Sequence, residues 1–255
     1  MQVTIIGSGN VATVLAKLMR SKGYSIAEVY SQTFSHAETL AKIVGAKAID
    51  KIGEISKNAD VYIIAVSDKA IDEITALLSF PEKLVLHTAG SVSKNVLQNI
   101  SSKFGVLYPV QSIRKDMDEQ TPIPFLVDGN TEETILEIES LAKTLHAKVV
   151  RGGDEERLKL HVAAVFACNF VNYMYLQSAT YCEKEDIDFS LLQPLIEETA
   201  NRLRINHPAE VFTGPAVRKD VATVQKHLTM LKKYPALHEI YLQLSEKIMG
   251  EKVFK

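Results

Sequence analysis

The chain has 255 residues, two cysteines and a formal net charge of −2 at neutral pH. That length accommodates two domains, each with a core of its own. The near-neutral balance and the lack of a basic tract exclude a sequence-independent grip on nucleic acid, which needs clustered Lys and Arg against phosphates.

No apolar run approaches the ~20 residues of a membrane span, and the N-terminus leads at once into a strand pattern instead of a charged, cleavable leader. The expectation is a soluble cytoplasmic protein with no membrane partner. In chain order, the apolar run Val3-Thr4-Ile5-Ile6 passes into Gly7-Ser8-Gly9-Asn10-Val11-Ala12 and then a helical pattern. A buried strand that turns sharply at Gly7, admits a pyrophosphate to the backbone at Gly9 and packs the next helix closely at Ala12 is a dinucleotide-binding fingerprint. The helix N-terminus adds unpaired N–H groups and a positive dipole end. Gly7, Ser8, Gly9, Asn10 and Val11 are therefore the candidate cradle; the alternative is a tight turn without a ligand.

Further strands are predicted near 26–30, 61–66, 84–87, 105–108, 125–127 and 148–150, and helices beginning near Asn10, Ser35, Ile71, Ser93 and Glu132. Several of these runs are too continuous in Val, Ile and Leu to have one wet face, which implies a parallel sheet covered on both sides. From Asp154 the strand signal disappears, and helical patterns follow at roughly 155–182, 190–205, 220–233 and 236–249. The predicted domains are 1–152 and 153–255: a doubly wound α/β sheet followed by an all-α domain. Cys168 and Cys182 fall in one predicted helix, ~21 Å apart, so they cannot pair within it. No Cys or His stands at metal-ligand spacing, and no metal site is expected.

The candidate sites follow the strand ends. The second strand closes on Tyr30-Ser31-Gln32-Thr33 with no acidic residue for the adenosine ribose hydroxyls, which points to NADP, although Gln32 stands where an arginine fork would hold the 2′-phosphate. Val66 and Ser67, before Asp68, would line the nicotinamide half. His87-Thr88-Ala89-Gly90-Ser91 places a histidine that is either structural or a proton donor beside a serine able to bind an anion. Tyr108-Pro109-Val110-Gln111-Ser112 forms another polar rim or an ordinary strand exit. At 100° per residue His161, Asn169 and Asn172 share roughly an 80° arc of an otherwise apolar helix, where each needs a structural partner, a water or a ligand. Thr213-Gly214-Pro215 leads to Arg218, either an anion anchor or half of a salt bridge with the predicted N-cap Asp220.

With these motifs in view, the chain resembles a bacterial family of NADP oxidoreductases that join a Rossmann-like domain, similar to deazaflavin-dependent NADP oxidoreductases, to a helical C-terminal domain of unknown function. The resemblance covers essentially the whole chain. It implies a fold relationship to pyrroline-5-carboxylate reductase, ketopantoate reductase and the β-hydroxyacid dehydrogenases, with a helical domain that closes over the nicotinamide and forms a homodimer contact. The chain departs from the β-hydroxyacid dehydrogenases in having Val165 where they carry a lysine four residues before an asparagine. The resulting expectation is an NADP(H)-dependent reduction of a small oxo acid, ketopantoate-like, or of an imine, in the interdomain cleft. Asn169 would orient the carbonyl, His161 or His87 would donate the proton, and Arg218 with Ser91 would hold a carboxylate, with Asn172 beside them. A deazaflavin coenzyme is implied by analogy alone. The alternative is a non-catalytic NADP(H)-binding regulatory or scaffold protein.

Overall fold

Val3, Ile5 and Ile6 are wholly buried because the strand they form, β1 (Gln2–Ile6), lies inside an eight-stranded sheet with helices on both faces. The structure is a computed structural model that describes residues 1–118, 120–146 and 148–250. Its strands are β1, β2 (Ser25–Tyr30), β3 (Lys47–Ile49), β4 (Val61–Ile64), β5 (Leu84–His87), β6 (Lys103–Pro109), β7 (Phe125–Gly129) and β8 (Val149–Arg151). Their order in the sheet is β3-β2-β1-β4-β5-β6-β7-β8, and every neighbouring pair is parallel except β6 with β7. This is the Rossmann-like doubly wound arrangement, with the chain changing direction across the sheet between β1 and β4.

Period-2 alternation divides the core. Val3, Ile5, Val61, Ile63, Leu84 and Leu86 join one cluster with α1 (Asn10–Ser21), α2 (Phe34–Val44) and α4 (Glu132–Leu145). Ile6, Tyr62, Ile64 and Val85 join the opposite cluster with α3 (Asp68–Thr75). Burial on both faces is why these strands read as continuous apolar runs. The sequence did not signal β3, whose three residues are too short to show a period. Where a helix was predicted near Ser93, Lys94–Leu97 forms only a 3₁₀ segment, with the Ser93 hydroxyl accepting the Asn95 N–H at 3.2 Å. α3 begins at Asp68, not Ile71, because Ser67 takes the N-cap backbone conformation.

Helices follow as α5 (Asp154–Ala164), a π-helical segment (Val165–Phe170), α6 (Val171–Lys184), α7 (Gln193–Arg202), α8 (Val221–Leu231) and α9 (Pro235–Met249). The strand rhythm ends at Arg151, but the chain divides into compact units at Met1–Asn169 and Phe170–Lys255. α5 is held in the first unit by its own first turns. Arg157, 1% exposed, donates through Nη2 to the Val92 carbonyl and to Asp154 Oδ1, the latter at 2.8 Å. Asp154 Oδ1 also accepts the Lys94 N–H at 3.2 Å, and Lys94 Nζ reaches both Asp128 carboxylate oxygens at 2.9 and 2.8 Å. His87, the last residue of β5, is wholly buried near this cluster. Burial, and after it the Arg157 charge, lower its pKa to about 4, against opposing contributions from Asp154, the Ser93 backbone and Asp68.

In the second unit α8 and α9 enclose a small core of Ala216, Val224, Leu228 and Met249, with Tyr241 and Leu242 against it. Asp220 caps α8 as its position predicted, accepting the Thr223 N–H at 3.0 Å and the Thr223 hydroxyl at 2.7 Å.

Two stability measurements check this arrangement. Asp154→Asn removes the ionised acceptor of a buried guanidinium and is expected to cost about 1–3 kcal/mol in urea unfolding at neutral pH; an unchanged midpoint would show that the pair carries no stability. For His87, the folded value of about 4 lies below the ordinary 6.5, so the unfolded chain binds more protons between them. The stability this group contributes is complete above that interval and is lost as pH falls through it, by on the order of 3 kcal/mol. Wild type should therefore weaken between about pH 7 and 4.5 by more than His87→Gln does, and equal losses in the two proteins would refute the assignment.

Candidate active site

A cavity of about 600 Å³ opens at the carboxyl ends of β1, β2, β4, β5 and β6. One end is the glycine turn. Gly7 adopts φ +125°, and a Cβ there would stand 2.2 Å from the Ala65 carbonyl oxygen, so only glycine fits. Its N–H donates to the Tyr30 carbonyl at 2.8 Å. Gly9 faces open space, with nothing within 4 Å of where a Cβ would lie. It is the N-cap of α1, with no side-chain cap and no acidic residue in the first turn, so the first-turn N–H groups and the helix dipole remain available to an anion. Ala12 is wholly buried, as close helix packing requires.

Ser8 and Ser31 join the glycine turn to the end of β2 through a hydroxyl–hydroxyl bond of 2.9 Å. Ser8, Asn10, Val11, Ser31, Gln32 and Thr33 all line the cavity, and so do Ala65, Val66, Ser67 and Asp68 on the next strand end. All the cofactor candidates named from the sequence thus share one wall. Among the described residues the lining contains neither Lys nor Arg, and Asp68 is its one carboxylate. The Ser91 hydroxyl donates to Asp68 Oδ2; Ser91 itself is exposed and is not part of the lining.

The other end carries Tyr108 and His161. The Tyr108 hydroxyl lies 3.0 Å from His161 Nδ1, with the rings edge to face at 75°. Burial raises the Tyr108 pKa, with the Arg157 charge opposing the shift and Asp68 adding to it. Gly90 makes room for the pair: a Cβ there would stand 2.7 Å from His161 Nδ1 and 3.2 Å from the Tyr108 ring. Sequence reasoning treated Tyr108 only as a rim residue and missed its partnership with His161. The available signal was its place at the end of a central strand. Arg157 was missed altogether, although its i,i+3 spacing from Asp154 at a helix start is visible in the sequence.

The remaining candidates are not assembled here. His87 Nδ1 accepts the Ala89 N–H at 3.2 Å, its Nε2 has no partner in hydrogen-bonding geometry, and the ring lies beneath the cavity wall, not in it. The 100° step assumed in projecting His161, Asn169 and Asn172 does not hold through Val165–Phe170, which is π-helical and turns less per residue. Asn169 ends the first unit and Asn172 belongs to the second, both exposed. The stretch expected to be buried instead exposes Val162, Phe166 and Phe170. Arg218 is an exposed turn residue of the second unit whose charge adds to the lowering of the Asp220 pKa, behind the Thr223 backbone and hydroxyl bonds. Among the described residues no group of three His, Cys, Asp or Glu could hold a metal, and no helix is long and apolar enough to cross a membrane.

Residues 2–90 match the family described as NADP oxidoreductase, coenzyme F420-dependent, and residues 123–248 match a domain of unknown function, DUF2520. A Bacteroides fragilis protein described as an NADP oxidoreductase is 35% identical and superposes with a TM-score of 0.91 over 98% of both chains. The fold is shared more distantly with an imine reductase from Myxococcus stipitatus in complex with NADP⁺, at 18% identity and a TM-score of 0.65 over 98% of this chain and 92% of that one. A 1-pyrroline-5-carboxylate reductase from Streptococcus pyogenes shares it at 11% identity and 0.67 over 98% of both chains. Glutamyl-tRNA reductase of Archaeoglobus fulgidus is 26% identical over 220 residues, 78% of this chain but 49% of that protein; the chain spans about half its length. The glycine cradle, the sheet order and the full-length likeness to the Bacteroides protein agree: the chain belongs to the NADP oxidoreductase family that couples an F420-dependent-type nucleotide domain to DUF2520.

Proposed function

We propose that the protein reduces a small C=N or C=O compound with NADPH in the cavity of its first unit. The observation that carries this reading is the cavity itself, which has a nucleotide cradle at one end and a protonatable Tyr108–His161 pair at the other. A purely regulatory binder has no use for such a pair.

The residues fit the cofactor. Gly7 to Val11 would hold the pyrophosphate, Ser31, Gln32 and Thr33 the adenosine ribose and its 2′-phosphate, and Ala65, Val66 and Ser67 the nicotinamide half. When bound, NADPH supplies the hydride. His161 protonates the substrate's nitrogen or oxygen. Asp68 is the feature that favours an imine, since a carboxylate in a lining without Lys or Arg stabilises the iminium that protonation creates. An oxo acid such as ketopantoate would instead need a fixed cation. Within the first unit, Ser91, expected to help hold such a carboxylate, is not in the described lining, and the oxo-acid reading ranks second. The deazaflavin coenzyme in the family's name has no specific support among these residues.

The second unit supports a homodimer. Leu176, Leu191, Leu195 and Ile205 are 58–88% exposed, an apolar surface that a second copy of the chain would cover. Cys168 and Cys182 are free thiols, in keeping with a reducing cytoplasm.

The first test is a thermal-shift titration. At 100 times Kd a ligand adds about 2.7 kcal/mol, and each kcal/mol moves Tm by ~2–4 °C for a chain of this size. A rise of about 5–10 °C is expected with NADPH and less with NADH; no rise with any nucleotide would refute the proposal. NADPH oxidation should then be screened on cyclic imines and 2-oxo acids. His161→Ala is expected to lower kcat by about 10²–10⁴ with the NADPH Kd nearly unchanged, and full activity in that variant would remove His161 from the reaction.

A further inference from the structure

We propose that Tyr108 is the source of the proton that His161 delivers, the two forming a relay in which the phenol O–H is donated to His161 Nδ1 and the substrate is protonated from Nε2. The inference rests on the reading of His161 as the group that protonates the substrate.

The geometry requires a direction for the 3.0 Å contact between Tyr108 Oη and His161 Nδ1. Tyr108 is 8% exposed, and its burial disfavours the phenolate, so the phenol keeps its proton and is the donor. Neutral imidazole then accepts at Nδ1 and carries its own hydrogen on Nε2, the nitrogen left without a partner among the described residues. A neutral ring that gave up this hydrogen alone would become an imidazolate, far too basic to form readily. The relay avoids that species. The Tyr108 O–H bond breaks as an Nδ1–H bond forms, and the Nε2–H bond breaks as the substrate's N–H or O–H bond forms. The ring stays neutral with its hydrogen moved to Nδ1, and the hydride that completes the reduction comes from NADPH. The starting tautomer is restored when the Nδ1 proton returns to the tyrosinate and Nε2 takes a proton from water, so that each turnover consumes one solvent proton.

An unexplained feature of the core finds a role here. Arg157 is 1% exposed, and its Nε and Nη1 have no hydrogen-bond partner. Its charge lowers the Tyr108 pKa, opposing the larger effect of burial. A buried cation incompletely neutralised in the resting protein suits an anion that exists only transiently at Tyr108. Gly90 is the second requirement, since a Cβ 2.7 Å from Nδ1 would push the imidazole off the phenol.

The direct test needs no substrate. In ¹⁵N-labelled protein, with the His161 signals assigned by their loss in His161→Gln, the ring should be the Nε2–H tautomer, and Tyr108→Phe should move the Nδ1 resonance as its hydrogen bond is lost. A proton on Nδ1 in wild type, or an Nδ1 resonance indifferent to Tyr108→Phe, would overturn the relay. With an imine or oxo acid found active in the screen, Tyr108→Phe should lower kcat at least about tenfold near neutral pH while KM and the NADPH Kd hold. Gly90→Ala, which alters neither side chain, should reproduce the loss in a folded protein. Full rates in Tyr108→Phe beside a crippled His161→Ala would sink the relay and leave the proposed function standing, whereas full rates in His161→Ala would sink both.

Discussion

The burial of one arginine sets the terms for much of the first unit. A guanidinium cannot shed its charge to escape a low-dielectric interior, so the chain around Arg157 has to meet its donors or tolerate the ones left over. It does both. The Asp154 carboxylate and the Val92 carbonyl take Nη2 and so fasten α5 beneath the loop that follows β5. Nε and Nη1 are left without partners. Three consequences follow from that partial satisfaction. α5 is part of the sheet unit despite being helical, the charge adds to the burial that chiefly lowers the pKa of His87, and Tyr108, near the end of β6, has its pKa lowered by the same charge against the larger rise caused by burial. A residue that does not line the cavity thus bears, after burial itself, on the pKa of both His87 and Tyr108.

The nucleotide end obeys a steric rule instead of an electrostatic one. Parallel strands converge at the point where the chain reverses across the sheet, and the Ala65 carbonyl at the end of β4 occupies the space a side chain on Gly7 would need. The same closeness that forbids a Cβ at Gly7 leaves Gly9 open, because the turn rotates the two residues to opposite surroundings. A cradle built from backbone donors and a helix dipole would bind phosphate by position, with no cation among the described residues of the lining.

Legibility in the sequence divided along the range of the interactions. The glycine turn, the strand runs and the Asp220 cap are local, and their residue types announce them. The short edge strand β3 left no period to detect, and the Ser93 segment had helical spacing without the length to propagate beyond a 3₁₀ turn. The arc of His161, Asn169 and Asn172 was projected with an α-helical step that Val165–Phe170 does not keep, and a π-helical segment has no local residue signature to announce it. The Tyr108–His161 pair spans 53 positions, and no spacing rule reaches across that distance. Arg157 was hidden for another reason: a residue type that is nearly always exposed gives no sign when the fold buries it.

The charges around the cavity also bear on what it can receive. Phosphate needs no help from lysine or arginine here, so the absence of both from the lining says little about the nucleotide; it says more about the remaining space. A substrate anion placed near Asp68 would meet a like charge in a partly desolvated site, where such a contact costs more than it would in water. A neutral imine would approach without that cost and, under the proposed relay, would become a cation only when the Tyr108–His161 pair protonates it. Its partner, the Asp68 carboxylate, is oriented in advance by the Ser91 hydroxyl. The favourable interaction is therefore larger after proton transfer than before it, which is the condition for an electrostatic contact to accelerate a reaction instead of merely tightening binding. A ketone could take the same proton, but its product alkoxide or alcohol would gain nothing from a carboxylate. The asymmetry within the first unit's cavity, anion-seeking at the glycine turn and cation-tolerant at Asp68, is the physical basis of the proposed preference for a C=N substrate.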